Sequence, residues 1–119
     1  MGLFSRHKTA ADVAKPASGR AAKRETLDHL ANFVHTRRGV EAYIEPANSQ
    51  TQTTILLIAT TGEWTRRRVP DPETARSVAH ELGIPVYDVN FTGYPQRMRD
   101  WDEQRRRERK RSRQAEYPQ

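Results

Sequence analysis

The stretch that decides the fold is TTILLIATTGEWTRRRVP, residues 53–70. It holds the only sustained apolar run of the chain, residues 55–59, and then turns at Thr60-Thr61-Gly62 and returns through Trp64 and three arginines. A short apolar run bounded by turn residues is typical of a buried strand, and the return is typical of its hairpin partner. We therefore predict a β-hairpin whose first strand is the centre of a small sheet.

The segment before the hairpin predicts a helix and a strand. The helical stripe of residues 21–38 consists of Leu27, Leu30, Ala31 and Val34, with Phe33 at its edge. These positions recur at the spacing that places apolar side chains on one helix face, and Gly39 then ends the helix. Residues 40–45 alternate apolar and polar side chains, which predicts a half-buried strand.

The segment after the hairpin predicts a second helix and a fourth strand. Asp71 is a good N-cap, Pro72 suits the first helical position, and the apolar face continues to Leu82 before Gly83 ends the helix. Residues 84–89 read as a strand, and Pro85 favours a place at the sheet edge because proline lacks a backbone donor.

The predicted order is α-β-β-β-α-β, an α+β domain with a small, mainly antiparallel sheet and two helices on one face. The central strand is apolar on both sides, so either Leu56 and Ile58 or Ile55 and Leu57 need a second cover. We expect residues 91–101 to supply it within the same chain, through Phe91, Tyr94, Met98 and Trp101. A second protomer or a partner protein is the alternative.

Charge divides the 119 residues into three parts. Residues 1–24, 25–93 and 94–119 carry net charges of +5, −3 and +4, which give the total of +6. We predict a flexible basic N-terminal tail over 1–20, the α+β domain over 21–101, and a basic C-terminal helix or disordered tail over 102–119. Basic tails favour anionic partners. An arginine-rich, GC-biased coding sequence and ordinary solvated charge explain them equally well.

Four segments together resemble a family of short basic actinobacterial proteins of uncharacterised function. They are Gly39-Val-Glu-Ala-Tyr, Gly-Glu-Trp-Thr-Arg-Arg-Arg-Val-Pro from Gly62, Gly83-Ile-Pro-Val-Tyr-Asp and Gly93-Tyr-Pro-Gln-Arg-Met-Arg-Asp. The resemblance covers about residues 25–101. Some relatives of this kind carry an oxidoreductase label, so the resemblance implies that activity as a lesser alternative. It supplies no catalytic residues.

Chemical motifs for catalysis are missing from the sequence. There is no cysteine, and neither G-x-G-x-x-G nor a P-loop follows a predicted strand. His29 and His35 are six residues apart, which is not the i, i+4 spacing of a helical metal pair. We expect no catalytic site, no metal site and no cofactor, and a binding protein rather than an enzyme.

Two sets of residues are candidates for binding a nucleic acid or another partner. On a strand, Trp64, Arg66 and Arg68 project to one face, where an aromatic ring flanked by arginines can stack a base and hold phosphates. The alternative is that Trp64 is core and the arginines pair with Glu41, Glu45 and later carboxylates. The second set is the C-terminal run of Arg105, Arg106, Arg107, Arg109, Lys110, Arg111 and Arg113. A solubilising tail is the alternative for this run.

These observations predict a non-catalytic module that binds RNA or a ribonucleoprotein surface, with sequence-independent affinity from the basic arms. A protein–protein interaction adaptor is the alternative function. No segment has the length and apolarity of a membrane span, and the N-terminal residues have no signal-peptide pattern. We therefore expect no membrane partner and a cytoplasmic protein. The absence of cysteine fits the reducing environment of the cytoplasm. The oligomeric state does not follow from the sequence.

Overall fold

A computed structural model describes residues 19–116. Residues 1–18 of the predicted N-terminal tail lie outside the described residues. The elements are α1 (Gly19–Thr36), β1 (Glu41–Glu45), β2 (Thr54–Ile58), β3 (Trp64–Arg68), α2 (Pro72–Glu81), β4 (Val86–Asp88), the short α3 (Val89–Thr92) and α4 (Gln96–Glu116). Among these residues, none of the helices is both long and apolar enough to span a membrane.

The four strands form one sheet in the order β3-β2-β1-β4. β2 pairs antiparallel with both β1 and β3, whereas β4 lies parallel to β1 at the sheet edge. The register places Ile58 opposite Trp64 and Leu56 opposite Arg66 in the hairpin. The α+β class, the element order and the mainly antiparallel sheet are therefore confirmed.

The larger core lies between the sheet and the two helices α1 and α2. Ile55 and Leu57 point into it from β2, and Leu30 and Phe33 meet them from α1. The other buried members are Val40, Ala42, Ile44, Ala59, Val69, Ala75, Val78 and Ala79. Phe33 is only 4% exposed, so it belongs to the centre of the helix face rather than to its edge as expected.

Helix α2 begins as its sequence predicts, and α3 was not predicted. The Asp71 carboxylate accepts a hydrogen bond from the backbone N–H of Thr74 at 2.7 Å, which caps α2. The Asp88 carboxylate accepts one from the backbone N–H of Asn90 at 2.8 Å. This second cap ends β4 and starts the four-residue α3, because a satisfied first-turn N–H favours helical backbone there.

The second sheet face is covered within the same chain by α4. Tyr43, Leu56 and Ile58 form a small buried cluster with Met98, and Trp64 packs against it half-buried. Leu56 and Ile58 are therefore the pair that needed the cover, and Met98 provides it as expected. Phe91 does not: it is 88% exposed on α3, so that part of the prediction is wrong.

The chain reaches the second face only after α3, where polar contacts fasten it. Arg97 Nη2 donates to Glu41 at 2.7 Å and Arg97 Nε donates to the carbonyl of Ala59 at 3.0 Å. The hydroxyl of Tyr94 donates to Glu45. Gly62, with φ +95°, lies so close to α4 that a Cβ there would stand 2.1 Å from the Arg97 carbonyl oxygen.

Candidate nucleic-acid interface

Helix α4 continues well beyond the part that packs on the sheet. Every residue from 103 to 116 is exposed, and fourteen residues of α-helix extend about 21 Å. Within this projecting part, residues 105–113 contain seven Lys/Arg and one Glu. A helix segment that is polar on all sides gains no stability from a core, so its exposed charge is available to a partner.

The side of α4 that packs on the sheet continues as arginine. Met98, Trp101, Arg105 and Arg109 follow one another at spacings of three and four residues, which places them along one side of the helix. Met98 is buried, Trp101 is half-buried and the arginines are exposed. The transition from core to charge therefore occurs at Trp101, next to the hairpin.

Trp64 lies at the same point and is fixed on both sides. Its indole Nε1–H donates a hydrogen bond to Asp102 Oδ1 at 2.8 Å. The Arg66 guanidinium lies over the ring, with Cζ 5.0 Å from the ring centroid, and is held there by Glu45. The bonds from Arg66 to the two carboxylate oxygens measure 2.6 and 2.8 Å. Trp64 is thus a positioned part of the junction between β3 and α4.

A surface pocket of about 400 Å³ opens at this junction, and we call it the tryptophan pocket. It is lined by Glu63, Trp64, Trp101, Asp102, Arg105, Arg106 and Arg109. The Arg105 guanidinium lies over the Trp101 ring, with Cζ 5.6 Å from the ring centroid. Two indoles and three arginines therefore converge on one opening, which is the side-chain combination that stacks bases and neutralises phosphates.

Each carboxylate of the tryptophan pocket accepts a hydrogen bond from a residue other than the three arginines that line the pocket. Glu63 Oε2 accepts a hydrogen bond from Arg37 Nη2 at 2.6 Å, and this bond holds the pKa of Glu63 below its usual value. Asp102 accepts the indole bond of Trp64. Among the described residues, neither carboxylate forms an ion pair with an arginine that lines the pocket.

The structure brings four of the ten predicted binding residues together in the tryptophan pocket: Trp64, Arg105, Arg106 and Arg109. Arg66 is engaged with Glu45, which is the pairing considered as the alternative, and this bond raises the pKa of Arg66. Arg68 is exposed at the far end of β3 from Trp64.

The remaining four predicted residues lie on the projecting part of α4. Arg107 donates to Glu103 one turn earlier, as the i, i+4 spacing predicts. Lys110, Arg111 and Arg113 are exposed, and none of them forms an ion pair with a described residue. These four therefore extend the positive surface of α4 away from the pocket.

Three pocket residues were not among the predicted binding residues: Glu63, Trp101 and Asp102. Trp101 was assigned to the cover of the sheet, and Asp102 was assigned no role in binding. The spacing of Trp101, Arg105 and Arg109 could have indicated a shared helix face. The contact of Asp102 with Trp64 is a contact across 38 residues of sequence, which no local pattern reveals.

A second polar cluster surrounds Glu45 on the same sheet face. Its carboxylate accepts bonds from Arg66, from the Tyr94 hydroxyl and from the Thr54 hydroxyl at 2.6 Å. Burial alone would raise the pKa of Glu45, but the bonds from Arg66, Thr54 and Tyr94 hold the pKa below its usual value. Because these partners already use both carboxylate oxygens, the cluster is explained by its structural role in fastening the linker before α4.

Over residues 19–116, no group of three or more His, Asp or Glu side chains is arranged to hold a metal ion. His29 is used structurally: Nε2 lies 2.7 Å from the Thr65 hydroxyl of β3. Burial and the nearby Arg67 and Arg37 lower the pKa of His29.

Comparison with known proteins found no matching family model, no matching curated protein and no matching solved structure.

Proposed function

We propose that the protein is a non-catalytic module that binds RNA or a ribonucleoprotein surface through α4 and the tryptophan pocket. The observation that carries the proposal is the projection of α4: fourteen exposed residues extend beyond the fold, and most of the charged ones are basic. Sequence-independent affinity would come from contacts between these side chains and phosphates, with release of counterions from the nucleic acid.

The arrangement of the basic residues supports this proposal over a merely solubilising tail. Arg105 and Arg109 continue the side of the helix that packs on the sheet, so their positions relative to Trp64 and Trp101 are fixed by the fold. A solubilising tail needs charge but no defined position next to aromatic rings. Rings beside positioned cations are the combination used by proteins that bind single-stranded nucleic acid.

An anisotropy titration of the full-length protein with a fluorescent single-stranded RNA tests the proposal. If all seven Lys/Arg of residues 105–113 contact phosphates, affinity falls up to about a thousandfold between roughly 50 and 200 mM salt. Absence of binding at the lower salt concentration, or affinity that does not change with salt, would contradict the proposal. A double-stranded RNA of equal length in parallel distinguishes stacking from purely electrostatic binding.

One observation favours the second candidate function, a protein–protein interaction adaptor. The exposed large hydrophobic side chains of the described residues are Tyr87, Phe91 and Tyr94. Tyr87 lies in β4, Phe91 lies in α3, and Tyr94 lies in the linker between α3 and α4. β4 is also an edge strand of the sheet, and edge strands present unpaired backbone groups on their outer side. This edge is separate in sequence from the projecting part of α4.

A pulldown from lysate with Phe91→Ser discriminates the two functions. The adaptor function predicts that a protein partner still co-purifies after nuclease treatment and no longer co-purifies with Phe91→Ser. The RNA-binding function predicts that this variant retains its RNA affinity, because Phe91 does not line the tryptophan pocket.

A further inference from the structure

We infer that the tryptophan pocket reads an unpaired guanine, stacked on Trp101 with its Watson–Crick edge toward the carboxylates of Asp102 and Glu63. The inference deepens the proposed function and rests on it. It concerns the kind of base that the pocket prefers, whereas the projecting part of α4 supplies affinity that does not depend on sequence.

An unpaired base fits the pocket better than a duplex does. Trp101 is half-buried at the pocket wall, and Arg105 lies over its ring at 5.6 Å from the centroid without an ion-pair partner among the described residues. A base that stacks on this ring can displace the guanidinium, which then turns to the adjacent phosphate. A base within a duplex cannot reach the ring because both its faces are already stacked.

The two carboxylates are unexpected in a site for phosphate alone, because they would repel it. Each has one oxygen that accepts a bond from the fold, Glu63 from Arg37 and Asp102 from Trp64. No hydrogen bond between described residues uses the second oxygen of either. Both carboxylates therefore present acceptors beside an aromatic ring, where the edge of a stacked base would lie.

Guanine is the base that matches this set of acceptors. Its Watson–Crick edge carries two adjacent donors, N1–H and the 2-amino group, which the second oxygens of the two carboxylates can accept. Adenine and cytosine pair one amino donor with an acceptor, and uracil flanks one N–H with two carbonyls, so each would bring an acceptor against a carboxylate. A purine also covers more of the indole than a pyrimidine. A good paired contact of this type discriminates between bases by roughly tenfold or more.

The test measures the affinity of the full-length protein for four fluorescent RNAs of equal length. One is an oligouridine, and the others carry a single central guanine, inosine or abasic site. We expect the guanine probe to bind about tenfold tighter than the oligouridine. Inosine lacks the 2-amino donor and should lie between them, and the abasic probe should bind no tighter than the oligouridine.

Asp102→Asn is the sharpest variant, because asparagine still offers an oxygen to the indole of Trp64 but replaces the other acceptor with a donor. We expect it to abolish the guanine preference, measured as the ratio of the affinities for the guanine probe and the oligouridine, because the lost negative charge affects both probes alike. Asp100→Asn, on the same helix and outside the pocket, is the matched control and should keep the preference. Unchanged tryptophan fluorescence confirms that Asp102→Asn keeps the fold around Trp64.

Each outcome separates the inference from the proposed function. Equal, salt-sensitive affinity for all four probes overturns the inference and leaves the proposed function intact. A guanine preference that persists in Asp102→Asn and in Glu63→Gln overturns the role of the carboxylates. Failure to bind any probe at low salt overturns the inference together with the proposed function.

Discussion

Glu45 connects three strands and the linker before α4 on the second sheet face. It joins β1 to β3 through Arg66, to β2 through Thr54 and to the linker before α4 through Tyr94. Hydrogen bonds to a charged group contribute more than neutral ones, and the Glu45 side chain is only 14% exposed. Replacing it by glutamine keeps the volume and removes the charge, so we expect Glu45→Gln to lower the free energy of unfolding by about 1–2 kcal/mol.

The loss should depend on pH in a defined direction. The pKa of Glu45 is lowered in the folded protein, so its charge stabilises the fold above the ordinary glutamate pKa, and that contribution disappears as the pH falls through the folded-state pKa. Urea unfolding should therefore show a larger difference between wild type and Glu45→Gln at pH 7 than at pH 3. Glu81→Gln is an exposed control on α2. An equal difference at both pH values would contradict this account.

Gly62 is the residue that lets α4 approach the hairpin. Its φ of +95° strains any other residue, and a Cβ would stand 2.1 Å from the Arg97 carbonyl oxygen and 2.9 Å from Trp101 Cβ. We expect Gly62→Ala to cost roughly 2–4 kcal/mol of unfolding free energy, from backbone strain and overpacking together. Gly83→Ala is the matched control, because its φ is also positive, at +71°, but its Cβ would meet nothing within 4 Å.

That control should cost only about 1–2 kcal/mol, the strain alone. Denaturant unfolding of both variants measures the difference, which represents the contact between α4 and the hairpin turn. Equal losses for the two glycines would show that α4 does not press on Gly62. The sequence predicted a turn at this glycine. Its close contact with Arg97 of α4 spans 35 residues, so no local sequence pattern indicates it.

At the scale of elements, Met98 should carry much of the attachment of α4. It is 8% exposed and is the buried residue of that helix within the described chain. Truncating a buried methionine to alanine typically costs 2–5 kcal/mol, and we expect about 2–3 kcal/mol for Met98→Ala because the cluster around it is small. Phe91→Ala, also a large apolar residue after β4, should change stability by less than about 0.5 kcal/mol.

Thermal or urea unfolding of these two variants tests how the second face is covered. A loss for Phe91→Ala as large as that for Met98→Ala would mean that α3 packs on the fold in solution. The sequence placed both residues in one covering segment, because composition alone could not locate the cap at Asp88. The hairpin was predictable from its apolar run and its turn residues. Both helices of the main core were predictable from the spacing of their apolar residues and, for α2, from its strong N-cap.

At the scale of the whole molecule, the protein separates its stabilising charges from its free ones. Arg37, Arg66 and Arg97 each pair with a glutamate of the fold, whereas the basic residues of the projecting part of α4 outnumber their acidic neighbours. The charge division was visible in the sequence. The convergence of Trp64 with Trp101 was not, because it requires strand register and a helix position that only the folded chain provides.

Two triple variants isolate the free charge. The α4 variant replaces Arg105, Arg106 and Arg109 by glutamine and removes the three arginines of the tryptophan pocket. The control variant removes the same charge from exposed positions of the two core helices.

The control positions are Lys23, Arg24 and Arg76, each replaced by glutamine. Both variants should fold like the wild type, because each changes exposed side chains outside the two cores.

The salt dependence of RNA affinity for these variants is the most direct test of the central claim, that α4 meets a nucleic acid. A plot of log affinity against log salt has a slope proportional to the number of phosphates neutralised, about 0.7 for each contact with a single strand. If the three arginines contact phosphates, the α4 variant should flatten the slope by about 2 while the control variant leaves it unchanged. Equal slopes for wild type, α4 variant and control variant would contradict the account.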